Sequence, residues 1–221
     1  MDFSTVVSTF SRVAAGLSAT TLLFAITLAI SLPLGFVLMA AQRSRFTALR
    51  LFVDAFIYLI RSTPLLLQLL FVYFGLPLLP VVGKFLVMQR FSAAIVGFVL
   101  NYAAYFSEIF RGGLMSVDKG QTEASKALGL NGFQRFWYIL MPQLLRVAMP
   151  SVSNETITLV KDTALLYAVS VPEVLHFAKA TVNSTSSTFA FVVAGIIYLI
   201  FNAVISYILK RVERSFDWAE L

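Results

Sequence analysis

Between Arg12 and Arg43 the chain runs through residues 13–42 without one charged side chain. A helix rises about 1.5 Å per residue, so about 20 apolar residues cross the roughly 30 Å hydrocarbon core of a bilayer. The run is long enough to cross and too long for the apolar centre of a cleavable signal peptide. It reads as a retained helix, and lipid becomes the solvent against which the rest must be read. Composition agrees: 59% of the 221 residues are hydrophobic and 13% are charged, where a soluble domain has about 45–50% and about 25%. A water-soluble globular fold is excluded.

The same criterion marks four more spans, at about residues 51–79, 91–110, 144–171 and 187–209, beside the first at 13–42. The expected fold is an all-α membrane protein of five transmembrane helices forming one domain over residues 1–221. The second span contains Asp54, Arg61 and the step Ser62-Thr63-Pro64. Proline lacks the N–H that a helix interior needs, so the span should bend or break there, against protein or water rather than lipid. Five spans put the termini on opposite sides. Arg43, Arg45, Arg50, Arg111, Lys119, Lys126, Arg135, Lys210, Arg211 and Arg214 fall on one side, against Arg12, Lys84, Arg90 and Lys179 on the other. The positive-inside rule then places the N-terminus outside and the C-terminus in the cytoplasm. The net charge of +6 follows from this topology and does not call for nucleic acid.

Several chemistries drop out. The chain has no cysteine and one histidine, His176, expected in an external loop, so thiolate and metal-cluster sites are not expected. Thr181 to Thr188 also reads as an external loop. No Gly-x-x-x-x-Gly-Lys-Ser/Thr sequence is present to cradle nucleotide phosphates, so the chain does not power transport alone.

Charges inside a bilayer cost about 2.5–3.5 kcal/mol each on insertion scales, so those that persist need partners or a purpose. On span four Glu155 and Asp162 are seven residues apart, which puts them within roughly 20° of each other on one helix face. Ser151 and Thr158 fall near the same stripe, while Lys161 points away. Two carboxylates on one face favour a cation, such as an α-ammonium group or a basic side chain. On span three Asn101, Tyr105 and Glu108 form a stripe at helical spacing. Glu108 reads as structural, with Arg111 within reach. At the break, Ser62, Thr63 and Gln68 offer hydrogen-bonding groups at membrane depth, as broken transporter helices do. Arg61 either neutralises a carboxylate or holds the break to a neighbouring helix.

The longest polar stretch, residues 111–142, lies between spans three and four on the cytoplasmic side. Glu123 to Leu128 are mostly helix formers, Gly129 is placed to end the helix, and Asn131-Gly132 makes a turn. The run Glu123-Ala124-Ser125, three residues, Gly129, nine residues, Ile139-Leu140-Met141-Pro142 resembles the EAA motif of ABC import permeases. Ser125 stands where that pattern has alanine and Met141 where it has leucine. Arg61-Ser62-Thr63-Pro64-Leu65-Leu66-Leu67-Gln68, Asn101-Tyr102-Ala103-Ala104-Tyr105 with Glu108 and Arg111-Gly112-Gly113, Lys119-Gly120-Gln121, and Leu159-Val160-Lys161-Asp162-Thr163 are similar to the polar amino-acid subfamily of those permeases. The likeness covers nearly the whole chain.

The resemblance implies a type I ABC importer permease fold in a bacterial plasma (inner) membrane. The helix at Glu123, Ala124, Ser125 and Gly129 would couple to the ATPase subunits, and spans two to four would form the substrate path. Candidate substrate-binding residues are Ser62, Thr63, Gln68, Asn101, Glu155 and Asp162. The expected cargo is a polar amino acid, cationic or neutral. The chain itself would bind no cofactor, with ATP and magnesium on two partner ATPase subunits. The other expected partners are a second permease chain, identical or related, and an external amino-acid-binding protein. The competing reading is an ion-gradient-driven carrier or channel that uses Glu155 and Asp162 as a relay. The long docking loop and the lack of an internal repeat weigh against it.

Overall fold

A computed structural model describes residues 2–216, so residue 1 and residues 217–221, at the ends of the expected single domain, lie outside the described residues. Helix α1 (Phe3–Ala14) and helix α2 (Leu17–Gln42) meet at a tight junction, so helix begins well before the uncharged run. At that junction a Cβ on Gly16 would lie 2.2 Å from the Glu173 carbonyl carbon. Only glycine permits this approach of two backbones. Further along α2, Thr27, Ser31 and Gly35 are buried at four-residue spacing, with buried Thr20 seven residues before Thr27 on the same stripe. Small residues on one stripe let helices close on each other in lipid, and a Cβ on Gly35 would come within 2.8 Å of the Phe106 Cβ.

Helix α3 (Thr47–Arg61) and helix α4 (Leu65–Leu70) form the second expected span, bent by 107° across Ser62–Pro64. A π turn over Phe71–Gly75 follows. Helix α5 (Arg90–Met115) is the centre of the bundle. Its residues Phe98, Tyr102, Phe106 and Phe110 are buried and stack at i, i+4 with ring centroids 6.3, 6.2 and 6.4 Å apart. Short helices α6 (Lys119–Ala127) and α7 (Gly132–Arg135) lead into helix α8 (Met141–Asp162), which ends in a 3₁₀ turn over Thr163–Val169. Helices α9 (Val174–Thr185) and α10 (Phe189–Phe216) complete the described chain.

The chain is all-helical among the described residues. Residues 3–42, α5 and α10 are long and apolar enough to cross a membrane, and the bent pair α3–α4 makes a fourth such unit. Helix α8 occupies the remaining expected span. It does not reach the same apolar character because it carries Arg146, Glu155, Lys161 and Asp162. The outward flanks of α2 and α10 expose Leu22, Ile30, Val37, Leu199, Ile200 and Val204, a surface suited to lipid.

Two expectations are corrected. His176 sits in the first turn of α9, and Thr181 to Thr185 continue that helix, which ends only at Ser186 in the left-handed conformation. Pro172-Glu173 is the reason. Glu173 caps α9 by accepting the Leu175 N–H at 2.7 Å and the His176 N–H at 2.5 Å, which turns an expected loop into a helix start.

Candidate functional site

The break between α3 and α4 follows from Pro64 and is repaired by side chains. The Ile60 carbonyl would have bonded the N–H of residue 64, which proline lacks. Gln68 supplies the missing donor: its Nε2 lies 2.7 Å from the Ile60 O, with Thr63 O at 3.0 Å and Thr63 Oγ1 at 2.8 Å. The Thr63 hydroxyl donates to the Leu59 O at 2.9 Å. On its other side Gln68 accepts, at 3.0 Å through Oε1, from Nδ2 of buried Asn101 on α5. A backbone fault at membrane depth is thereby closed and fastened to the central helix.

One residue further along α5, the Tyr102 hydroxyl donates to Asp162 Oδ2 at 2.7 Å. Thr63, Gln68, Asn101 and Asp162 are thus linked to adjacent positions of α5. Ser62 is exposed at the end of α3 and does not join that bonded cluster. Glu155, the other carboxylate of the α8 face, lies about 10 Å along the helix from Asp162. It lines an open cleft of about 390 Å³ with Arg61, Tyr105, Glu108, Ser151 and Asn154. Among the described residues Glu155 forms no side-chain hydrogen bond or ion pair. Lys161 is exposed, forms no hydrogen bond or ion pair with Asp162 among the described residues, and acts on it only through space.

Arg61, for which two roles stood open, performs both. Its Nη1 lies 3.3 Å from Glu108 Oε2, which ties the end of α3 to α5, and its guanidinium lies 5.4 Å from the Tyr105 ring centroid. Glu108 is held more firmly by Arg111, with Nε–Oε1 at 2.9 Å and Nη2–Oε2 at 2.7 Å. Gln42 at the end of α2 also donates to Glu108, at 3.2 Å, and to Asp54, at 3.0 Å.

The second region of interest is α6. Asp118 caps it by accepting the Gly120 N–H at 2.6 Å. Its end is a Schellman motif: the Leu130 N–H donates to the Ser125 O at 3.1 Å, and the Gly129 N–H donates to the Lys126 O at 2.9 Å. Gly129 takes φ +75° to do so, which explains why glycine stands there. The helix begins four residues before Glu123. Glu123 and Ala124 face outward, whereas Ser125 is buried and donates to the Thr122 O at 2.8 Å. Beyond it Leu128, Phe133, Trp137 and Tyr138 are exposed, an apolar face in an otherwise polar segment.

Residues 31–218 match the family described as binding-protein-dependent transport system inner membrane component. The chain belongs to that family. The permease is 35% identical over 216 residues to the arginine transport system permease protein ArtQ of Bacillus subtilis, covering 97% of each chain. It is also 35% identical to the nopaline transport system permease protein NocM of Agrobacterium fabrum, over 96% of this chain and 91% of the other. For the histidine/lysine/arginine/ornithine transport system permease protein HisM of Salmonella typhimurium the identity is 35%, over 72% and 70%. A solved amino acid ABC transporter with histidines superimposes with a TM-score of 0.86 at 27% identity, covering 97% of this chain and 99% of that one. The MetNI methionine ABC transporter, at 21% identity and a TM-score of 0.71, shares the fold.

These relatives are transport permeases, so the permease is a transport subunit and not an enzyme, and hydrolysis belongs to separate ATPase subunits in such systems. Sequence reasoning missed two residues of consequence. Tyr102 reads as an ordinary core aromatic, and only the side-by-side packing of α5 and α8 reveals its bond to Asp162. Glu173 is fully buried and also accepts from the Tyr198 hydroxyl at 2.8 Å. Its signal was a proline followed by an acidic residue ahead of an apolar stretch, a helix-start pattern.

Proposed function

We propose that the permease carries a polar amino acid, with a preference for a cationic one, from an external binding protein to the cytoplasm. The path runs along the α3–α4 break, α5 and the carboxylate face of α8. Ser62, Thr63, Gln68 and Asn101 form its polar wall, with Gln68 and Asn101 holding the break in shape. Asp162, oriented by Tyr102, receives the α-ammonium group, and Glu155 receives the basic side chain. The observation that carries this reading is Glu155 on the cleft wall, on the same face of α8 as Asp162 and with no side-chain hydrogen bond or ion pair of its own among the described residues, with Arg61 of the same cleft acting on it only through space. The named cargoes of ArtQ and HisM, which include arginine, lysine and histidine, support it.

In this reading five spans place the N-terminus outside and the C-terminus in the cytoplasm. Two permease chains, identical or related, close the open side of the cleft. Two ATPase subunits, carrying ATP and magnesium, dock on α6 through Glu123, Ala124 and the turn at Gly129. The exposed Leu128, Phe133 and Trp137 add apolar area to that contact.

The test is ATP hydrolysis by the reconstituted complex with its binding protein, challenged with each of the twenty amino acids. Stimulation by basic amino acids, weakened selectively by Glu155→Gln, is expected. Stimulation by acidic or apolar amino acids alone would overturn the cargo assignment.

A further inference from the structure

Two cavities lie against the C-terminal half of α5, and their linings meet at a single ion pair. The first is the 390 Å³ cleft of Glu155, Ser151 and Asn154. The second, of about 510 Å³, is lined by Gln42, Arg43, Asp54, Tyr58 and Arg111. The residues common to both linings are Arg61 and Glu108. We infer that the Arg61–Glu108 pair is a charged gate separating the Glu155 cleft from a cytoplasm-facing vestibule, with Glu108 as the fixed post and Arg61 as the moving arm. This rests on the reading of the Glu155 cleft as part of the cargo path.

The two partners are held very differently. Glu108 is clamped within its own helix by two short bonds from Arg111 and is bonded from α2 by Gln42. Arg61 reaches it through one longer contact of 3.3 Å and remains 40% exposed, against 16% for Glu108. Arg61 is also the last residue of α3, directly before the 107° bend. A change in the angle of the broken span rotates the backbone at Arg61 and redirects its long side chain, while Glu108 stays with α5. Stranding a buried carboxylate normally costs several kcal/mol. Here Arg111 continues to neutralise Glu108 after Arg61 withdraws, so the gate opens without leaving an unpaired charge. Arg61 in turn keeps the Tyr105 ring as a resting place on the Glu155 side. Helix direction supplies the sidedness. Along α5 the order Tyr102, Tyr105, Glu108, Arg111 runs toward the α6 end, which is the vestibule side.

The chain has no cysteine, so a reporter thiol is the only one this subunit carries, and labelling is read on this subunit's own band. Ser151→Cys reports on the Glu155 cleft and Tyr58→Cys on the vestibule. Both are placed in the full complex in inside-out vesicles and treated with a membrane-impermeant maleimide from the cytoplasmic side. With Arg61 intact, Tyr58→Cys should label readily and Ser151→Cys slowly. Arg61→Gln should raise the Ser151→Cys rate by at least about tenfold, the scale set by losing one charge-assisted bond. Arg61→Lys keeps the charge and should stay within about threefold of the parent. Monodisperse elution of the assembled complex verifies that each variant is folded, and Tyr58→Cys labelling, at an exposed position, sets the reference rate for an accessible thiol. An unchanged Ser151→Cys rate in Arg61→Gln, or equal opening in Arg61→Lys, would overturn the gate. Loss of amino-acid stimulation in the parent complex would instead overturn the cargo assignment, and the labelling contrast is independent of it.

Discussion

Gln68 carries the broken span, and replacing it by methionine isolates what its amide does. Methionine keeps the length and approximate volume of the side chain while removing every hydrogen bond. The two costliest losses fall on the Ile60 carbonyl, which Pro64 has already deprived of a backbone donor and which keeps only a 3.4 Å contact from the Thr63 hydroxyl, and on Asn101 Nδ2 on α5; the Thr63 carbonyl also loses a 3.0 Å donor. A buried polar group left unsatisfied costs about 1–3 kcal/mol. Gln68 is half-buried, so water partly reaches the site and the lower end applies, about 2 kcal/mol for the two groups together. At about 2–4 °C per kcal/mol for a chain of this size, the apparent Tm in detergent should fall by about 4–8 °C. The assay is thermal unfolding followed by size-exclusion chromatography, run on Gln68→Met, Asn101→Leu and the pair. Because one bond joins the two side chains, the double variant should be less destabilised than the sum of the singles. A Gln68→Met variant as stable as the parent, or strict additivity, would refute the account of the break.

Other perturbations address other parts of the fold. Gly16→Ala places a methyl group within 2.2 Å of the Glu173 backbone and should sharply lower the yield of monodisperse protein, measured by fluorescence-detected chromatography. Gly129→Val forces a β-branched residue to φ +75°, a strain of about 1–2 kcal/mol. Uptake per ATP hydrolysed should fall while membrane insertion, followed by quantitative blotting, stays intact. Tyr102→Phe removes the donor that orients Asp162, and the concentration of amino acid giving half-maximal stimulation of ATP hydrolysis should rise by about tenfold, the worth of one bond to a charged group. An unshifted value would separate Asp162 from the cargo.

How much of this was legible in the sequence depends on the range of the interaction. The uncharged run 13–42, Pro64 and Gly129 act through local rules: span length, a missing N–H and a positive φ. Each produced the structure those rules require. The two carboxylates of α8 could be placed on one face by helical period alone. What period cannot give is the partner across a helix interface. The bonds Gln68 to Asn101 and Tyr102 to Asp162 join residues 33 and 60 positions apart, so they depend on the angle at the break and on how α5 and α8 pack. The role of Arg61 was undecided for the same reason. Helix α9 was hidden by composition, because its Ser- and Thr-rich end resembles a loop, and the cap that starts it is a buried glutamate.

The central claim is that the carboxylate face of α8 selects a cationic cargo. The direct measurement is uptake of labelled arginine and glutamine into proteoliposomes holding the complete complex, compared as a ratio for the parent and for Glu155→Gln. The account predicts that the ratio favours arginine in the parent and falls by about tenfold in the variant, the loss of one charge-assisted contact, with glutamine uptake retained. An arginine preference that survives Glu155→Gln unchanged would contradict it.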